Sequence, residues 1–185
     1  MTLALVVASV AAAAVAGGGA VALVTTRRHR GRHPGSARIL FPIVGRGLSR
    51  PALDAALRLA RAQDATLVAA YLAPVPLHLP LDAALTLECD LALPLLEAVE
   101  HAASDAGVAV ESRIERGRTY RHALLELIEH ERYDQIVVAA APEGAAGFTA
   151  SDVAWLLHRA PGEIIVLRPR DEAPGAGRPL EAAAA

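Results

Sequence analysis

His122, Glu126 and His130 fall at i, i+4 and i+8 of one predicted helix, the first spacing in the chain that suggests chemistry. Imidazole and carboxylate on one helix are metal-ligand types. The geometry argues against a single ion: the two histidines lie about 12 Å apart along the axis at ~1.5 Å per residue. A solvated face is the plainer reading. Gly144-Ala145-Ala146-Gly147 is a second candidate, but lone glycine pairs are weak motifs and read first as a flexible loop. Ser151 stands where a helix N-cap hydroxyl is expected. Asp152 and Glu163 read as isolated carboxylates at element ends. Cys89 is the only cysteine, so no intrachain disulfide can form, and it reads as a small buried or half-buried residue. No HExxH, P-loop or ordered Ser-His-Asp set is present. No catalytic residue, no metal site and no enzymatic activity are therefore expected.

The elements that position these residues alternate. A short apolar run in Arg38–Val44 reads as a buried parallel strand, with Pro42 out of place in it. Ser49 is a plausible cap for a helix with Pro51 in its first turn and Leu53, Ala56, Leu57 and Ala60 on one face. Thr66–Leu72 reads as a strand, and Ala73–Asp90 as a long proline-containing connection with one turn of helix near Ala83. Leu93–Ala106 is a predicted helix with Asp90 or a neighbour as its cap and Pro94 in the first turn. Val108–Ile114 is a predicted strand and Thr119–Glu131 a helix with Leu124, Leu127 and Ile128 inward. Gln135–Ala140 reads as a strand, Ser151–Arg159 as a helix and Glu163–Leu167 as a strand. Such alternation implies right-handed crossovers and an α/β fold whose five predicted strands form a parallel sheet covered on both faces.

Composition places this domain behind something different. Residues 1–26 carry no charged side chain. As a helix, Leu3–Val24 spans about 33 Å, enough for a hydrocarbon core of about 30 Å. Arg27, Arg28, Arg30 and Arg32 follow at once, and no positive side chain precedes the span. By the positive-inside rule this is a single transmembrane anchor with the domain facing the cytoplasm. The alternative is an exported protein whose N-terminal segment is a signal cut after Ala20-Val21-Ala22, an A-x-A pattern. The organisation is thus an anchor over 1–26, a basic linker over 27–37, a domain over 38–170 and a disordered tail over 171–185. All 18 basic residues are Arg, and removing the five before residue 39 leaves 13 against 20 acids, a net charge near −7. An acidic body without a basic stripe excludes nucleic acid as a partner. The arginine cluster points to membrane lipid instead.

Five motifs in order carry a resemblance to a known family. Ile39-Leu40-Phe41-Pro42-Ile43-Val44-Gly45 opens it, followed by Ser49-Arg50-Pro51-Ala52-Leu53. Then come Gly117 with Ala123-Leu124-Leu125, and Tyr133-Asp134-Gln135-Ile136-Val137-Val138. His158-Arg159-Ala160-Pro161 before Ile164-Ile165-Val166-Leu167-Arg168 closes it. Together they resemble the universal stress protein family over about 130 residues. The resemblance implies a doubly wound, five-stranded parallel sheet of the adenine nucleotide alpha hydrolase type, a role in stress response and dimerisation through the last strand.

The resemblance also implies a nucleotide site. In ATP-binding members an Asp closes the first strand, and a Gly-x-x-Gly pair and a later Gly-Ser/Thr cradle the phosphates. Here those positions are degraded. Val44 stands at the Asp position, and Ala139 and Pro142 at the two glycines. Ala150-Ser151 replaces the Gly-Ser pair, so only the hydroxyl survives. The intervening loop is also about two residues short of the family spacing, which disturbs a phosphate cradle. Val44, Gly45, Ala139 and Ser151 are therefore vestigial cofactor-binding positions, with ATP bound weakly or not at all. The expected function is a membrane-anchored stress-related interaction module with an unknown protein partner, alternatively a nucleotide sensor binding ATP through backbone groups and Ser151.

Overall fold

The computed structural model describes residues 37–81, 86–141 and 145–168. Five parallel strands form one sheet in the order β3-β2-β1-β4-β5. They are β1 (Arg38–Ile43), β2 (Thr66–Pro74), β3 (Val110–Gly117), β4 (Gln135–Ala139) and β5 (Glu163–Leu167). The helices α1 (Arg50–Ala62), α2 (Thr86–Ala106), α3 (Tyr120–His130) and α4 (Ala150–Arg159) connect them. The doubly wound five-stranded sheet expected from the sequence is present. Among the described residues no helix is long and apolar enough to cross a membrane. The expected anchor over 1–26, most of the basic linker and the tail lie outside the described residues.

Two cores sandwich the sheet because its strands alternate in side-chain direction. Ile39, Phe41 and Ile43 pack with Leu67, Ala69 and Tyr71 under α1 and α2. Leu40, Val68, Ala70 and Leu72 pack with Ile136 and Val138 under α3 and α4. Helix α1 buries Ala52, Leu53, Ala56, Leu57 and Ala60, the face its spacing predicted. In α2 the buried residues Ala92, Leu96, Val99 and Ala103 make one stripe.

Helix α2 corrects one expectation. It begins at Thr86, not near Leu93, and Pro94 lies in its interior. The ring is tolerated because Pro94 is exposed, and its lost N–H falls on the solvent side. Strand β2 likewise runs on to Pro74, held by Val75 N–H donating to Gly117 O at 2.8 Å.

Pro42 finds its reason in the register. Arg38 N–H donates to Asp134 Oδ2 at 2.7 Å, so the even-numbered amides of β1 face β4. Pro42 therefore lacks its N–H on the β4 side. Pairing of β1 with β4 stops at Leu40↔Ile136, whereas pairing with β2 continues to Ile43↔Tyr71. The two strands part at their carboxyl ends, where the winding direction reverses. That is where an open α/β sheet forms its ligand crevice.

Candidate functional site

The crevice lies between the turn after β1 and the loop after β4. Val44 is half-buried at the end of β1 and packs against the core under α3 and α4. Its side chain offers no polar group to a ligand. Gly45 follows with φ +80°, a left-handed conformation that favours glycine. Across the crevice, Ala146 approaches so closely that a Cβ on Gly45 would stand 3.7 Å from its Cα. The two rims approach each other here, separated by the space that a Cβ would fill.

Ala139 closes β4, and its carbonyl accepts from Phe148 N–H at 2.8 Å. Ala141 N–H in turn donates to Phe148 O at 2.8 Å. The chain thus doubles back on β4 and buries Phe148 edge-on against Tyr120, with ring centroids 6.3 Å apart. Gly147 allows the return at φ +134°, where a Cβ would meet Ala139 O at 2.8 Å. Pro142 and Gly144 lie outside the described residues.

Helix α4 starts differently from expectation. Its N-cap is Thr149 rather than Ser151, in a reciprocal capping box with Asp152. Ser151 is the second residue of the helix, exposed, where its hydroxyl meets Arg121 Nη2 at 2.9 Å and Thr149 Oγ1 at 3.0 Å. The surviving hydroxyl is therefore engaged within the chain.

Asp152 is not the isolated carboxylate the sequence suggested. It is fully buried and accepts from Thr149 N–H at 2.9 Å and Thr149 Oγ1 at 2.7 Å. Tyr120 Oη stands 2.9 Å from both of its oxygens, and Arg121 Nε 2.6 Å from Oδ1. Burial pushes the carboxyl up, but the bonds from Thr149, Arg121 and Tyr120 outweigh it and hold Asp152 below its ordinary value. Burial and the Asp152 bond together raise Tyr120. Arg121 also lies over the Trp155 ring at 5.7 Å. Sequence reasoning missed this cluster; the Thr149-x-x-Asp152 capping pattern was its one visible signal.

Tyr71 donates to Glu88 Oε2 at 3.0 Å near the ends of β2 and α2, and burial with this bond raises its hydroxyl to about 12. At the β3 edge a groove of about 380 Å³ is lined by Glu115, His122, Glu126, His130 and neighbouring charges. His122 Nε2 and His130 Nδ1 lie 3.3 and 3.6 Å from the Glu126 carboxylate, as i,i+4 pairs. Among the described residues no group of His, Cys, Asp or Glu is placed to hold a metal ion. Glu163 is not isolated either, since it accepts from Gln135 Nε2.

The model of the universal stress protein family matches residues 35–168. The chain belongs to the universal stress protein family. Solved structures agree on the fold. The universal stress protein UspA from Lactobacillus plantarum is 23% identical, with TM-score 0.57, over 71% of this chain and 97% of that one. A universal stress protein in complex with cAMP is 19% identical, with TM-score 0.55, over 71% and 96% of the two chains. A family protein from Arabidopsis thaliana with AMP bound is 15% identical, with TM-score 0.53, over 76% and 97%. No curated protein matches the chain.

Proposed function

We propose that this universal stress protein domain acts as a membrane-anchored interaction module whose ATP site has degenerated. The observation that carries the reading is Val44, a half-buried apolar side chain packed against the core at the mouth of the crevice. Across it, Ala146 lies so near the glycine turn that a Cβ on Gly47 would stand 2.9 Å from its Cβ. Val44 in place of a carboxylate removes the adenosine-side hydrogen bond, and Ser151 is engaged by Arg121. Losing one charge-assisted hydrogen bond costs about 1.5–3 kcal/mol, so several losses weaken binding by orders of magnitude. The domain works by contacting a protein partner, is tethered by residues 1–26 with the Arg27–Arg32 cluster against anionic lipid, and faces the cytoplasm. It pairs with a second copy through β5, a sheet edge on which Val166 is 40% exposed.

A second reading has its own support: relatives of this fold were solved with AMP and with cAMP. In that reading the chain senses a nucleotide weakly, through backbone groups and Ser151. The experiment that separates the two is calorimetry of the purified chain with ATP, AMP and cAMP, together with mass spectrometry of any co-purified nucleotide. No carry-over and no heat at micromolar protein support the interaction module. Stoichiometric nucleotide in the purified protein overturns it in favour of the sensor.

A further inference from the structure

Asp152 has more partners than a helix cap requires. A capping box needs the Thr149 side chain and backbone, and both are present. Tyr120 and Arg121 reach in from another helix, α3, and add a phenol and a guanidinium to the same carboxylate. A backbone N–H at a helix start, a guanidinium and two hydroxyls together form a donor set suited to an oxyanion. The oxyanion present in it is the chain's own side chain, with no exposed surface. Arg121 also reaches Ser151, so the guanidinium beside the α4 N-terminus is neutralised from within by Asp152.

We propose that Asp152 is a resident anion that fills the oxyanion site at the start of α4 and so excludes external phosphate from it. The inference rests on the degenerate-site reading and deepens it. The replacements at Val44 and Ala139 remove attraction and backbone approach for a nucleotide, whereas Asp152 adds a fixed negative charge and ties up the donors. Restoring the lost residues alone would leave this obstacle in place.

The test uses the full chain, inorganic phosphate as probe and chloride at equal ionic strength as reference. Asp152→Ala opens the donor set, and its melting temperature is expected to rise saturably with millimolar phosphate. The gain in phosphate affinity over the unmodified chain is expected to be at least about tenfold. Adding Arg121→Gln to Asp152→Ala is expected to abolish the response, which a merely structural role for Asp152 does not predict. A folded Asp152→Ala that responds to phosphate no more than to chloride overturns the proposal. If this variant does not fold in chloride, refolding in phosphate becomes the readout: recovery supports the resident anion, and failure to recover overturns it. Tight ATP binding by the unmodified chain removes the degenerate-site reading whatever phosphate does. A phosphate-blind Asp152→Ala removes only the resident anion.

Discussion

A Cβ built on Gly47 would stand 2.9 Å from the Cβ of Ala146, so the turn after β1 and the loop after β4 leave no space for a larger residue between them. A second glycine is tighter still. A Cβ on Gly117 would stand 2.4 Å from Ala123 N and 2.8 Å from Ala123 Cα, both backbone atoms of α3. An exposed loop carrying Ala146 can shift outward, whereas the first turn of α3 is fixed by the Thr119 cap and by the buried Ala123 and Leu124. Gly117→Ala is therefore expected to cost more than Gly47→Ala, about 2–3 kcal/mol against at most about 1. Thermal melts of the two variants decide it, and equal costs or the reverse order refute the packing reading.

Acid sensitivity is expected to centre on Glu131. It accepts from Arg38 Nη1 and Arg113 Nη1 at 2.7 Å each, joining β1, β3 and the end of α3. Burial pushes its carboxyl up, but Arg113 and Arg38 outweigh this and bring it from 4.5 down to about 2. Because the folded value is depressed, the stabilisation is fully present above 4.5 and is lost as pH falls through about 2. Glu131→Gln is expected to lower stability by about 2 kcal/mol at neutral pH and to flatten the loss between pH 4.5 and 2. Urea melts at several pH values read it. An acid limb unchanged in Glu131→Gln would place the sensitivity elsewhere, Asp152 being the next carboxyl with the same sign.

The fold was legible because its signals were local and redundant. Strand β5 matched its predicted bounds, and α1 buried the face its spacing indicated. Helix α2 was misjudged because an exposed Pro94 looks the same in sequence whether it opens a helix or interrupts its solvent side. The site was less legible. Nothing in sequence order places Tyr120 and Arg121 beside Asp152, thirty-odd residues away, until α3 and α4 share one face of the sheet. Pro42 marked the crevice, but its meaning depended on which neighbour its missing N–H would have faced.

Self-association is expected through β5. Among the described residues this strand pairs on one side only, with β4, and it carries Ile164, Ile165 and Val166 in sequence. Tethering to a membrane would raise the effective concentration of the pairing edges. Sedimentation of residues 36–170 at micromolar concentration is expected to show a dimer, and Val166→Lys is expected to shift it to monomer. Monomer alone in the unmodified fragment would remove the proposed interface.

Membrane orientation is expected to follow the arginine cluster. Reporters fused to the C-terminus and active on only one side of the membrane should report the cytoplasmic side. Neutral replacement of Arg27, Arg28, Arg30 and Arg32 should weaken that orientation. A mature N-terminus near Leu23 would instead reveal a cleaved signal.

Nucleotide affinity offers the sharpest separation of causes. The unmodified chain is expected to bind ATP weaker than micromolar, since Val44 supplies no carboxylate and Pro142 no N–H. Val44→Asp with Ala139→Gly, Pro142→Gly and Ala150→Gly restores the family's residue types. If side chains alone were the lesion, this variant would bind ATP and show it by calorimetry. The near approach of Ala146 to the turn after β1 and the carboxylate of Asp152 both remain in it. Binding is therefore expected to stay weak until Asp152→Ala is added, and then to strengthen by at least about tenfold, or ~1.4 kcal/mol. Full recovery in the first variant would show that the fixed charge is tolerated. No recovery in either would place the obstacle in the shortened loop after β4, which no side-chain replacement lengthens.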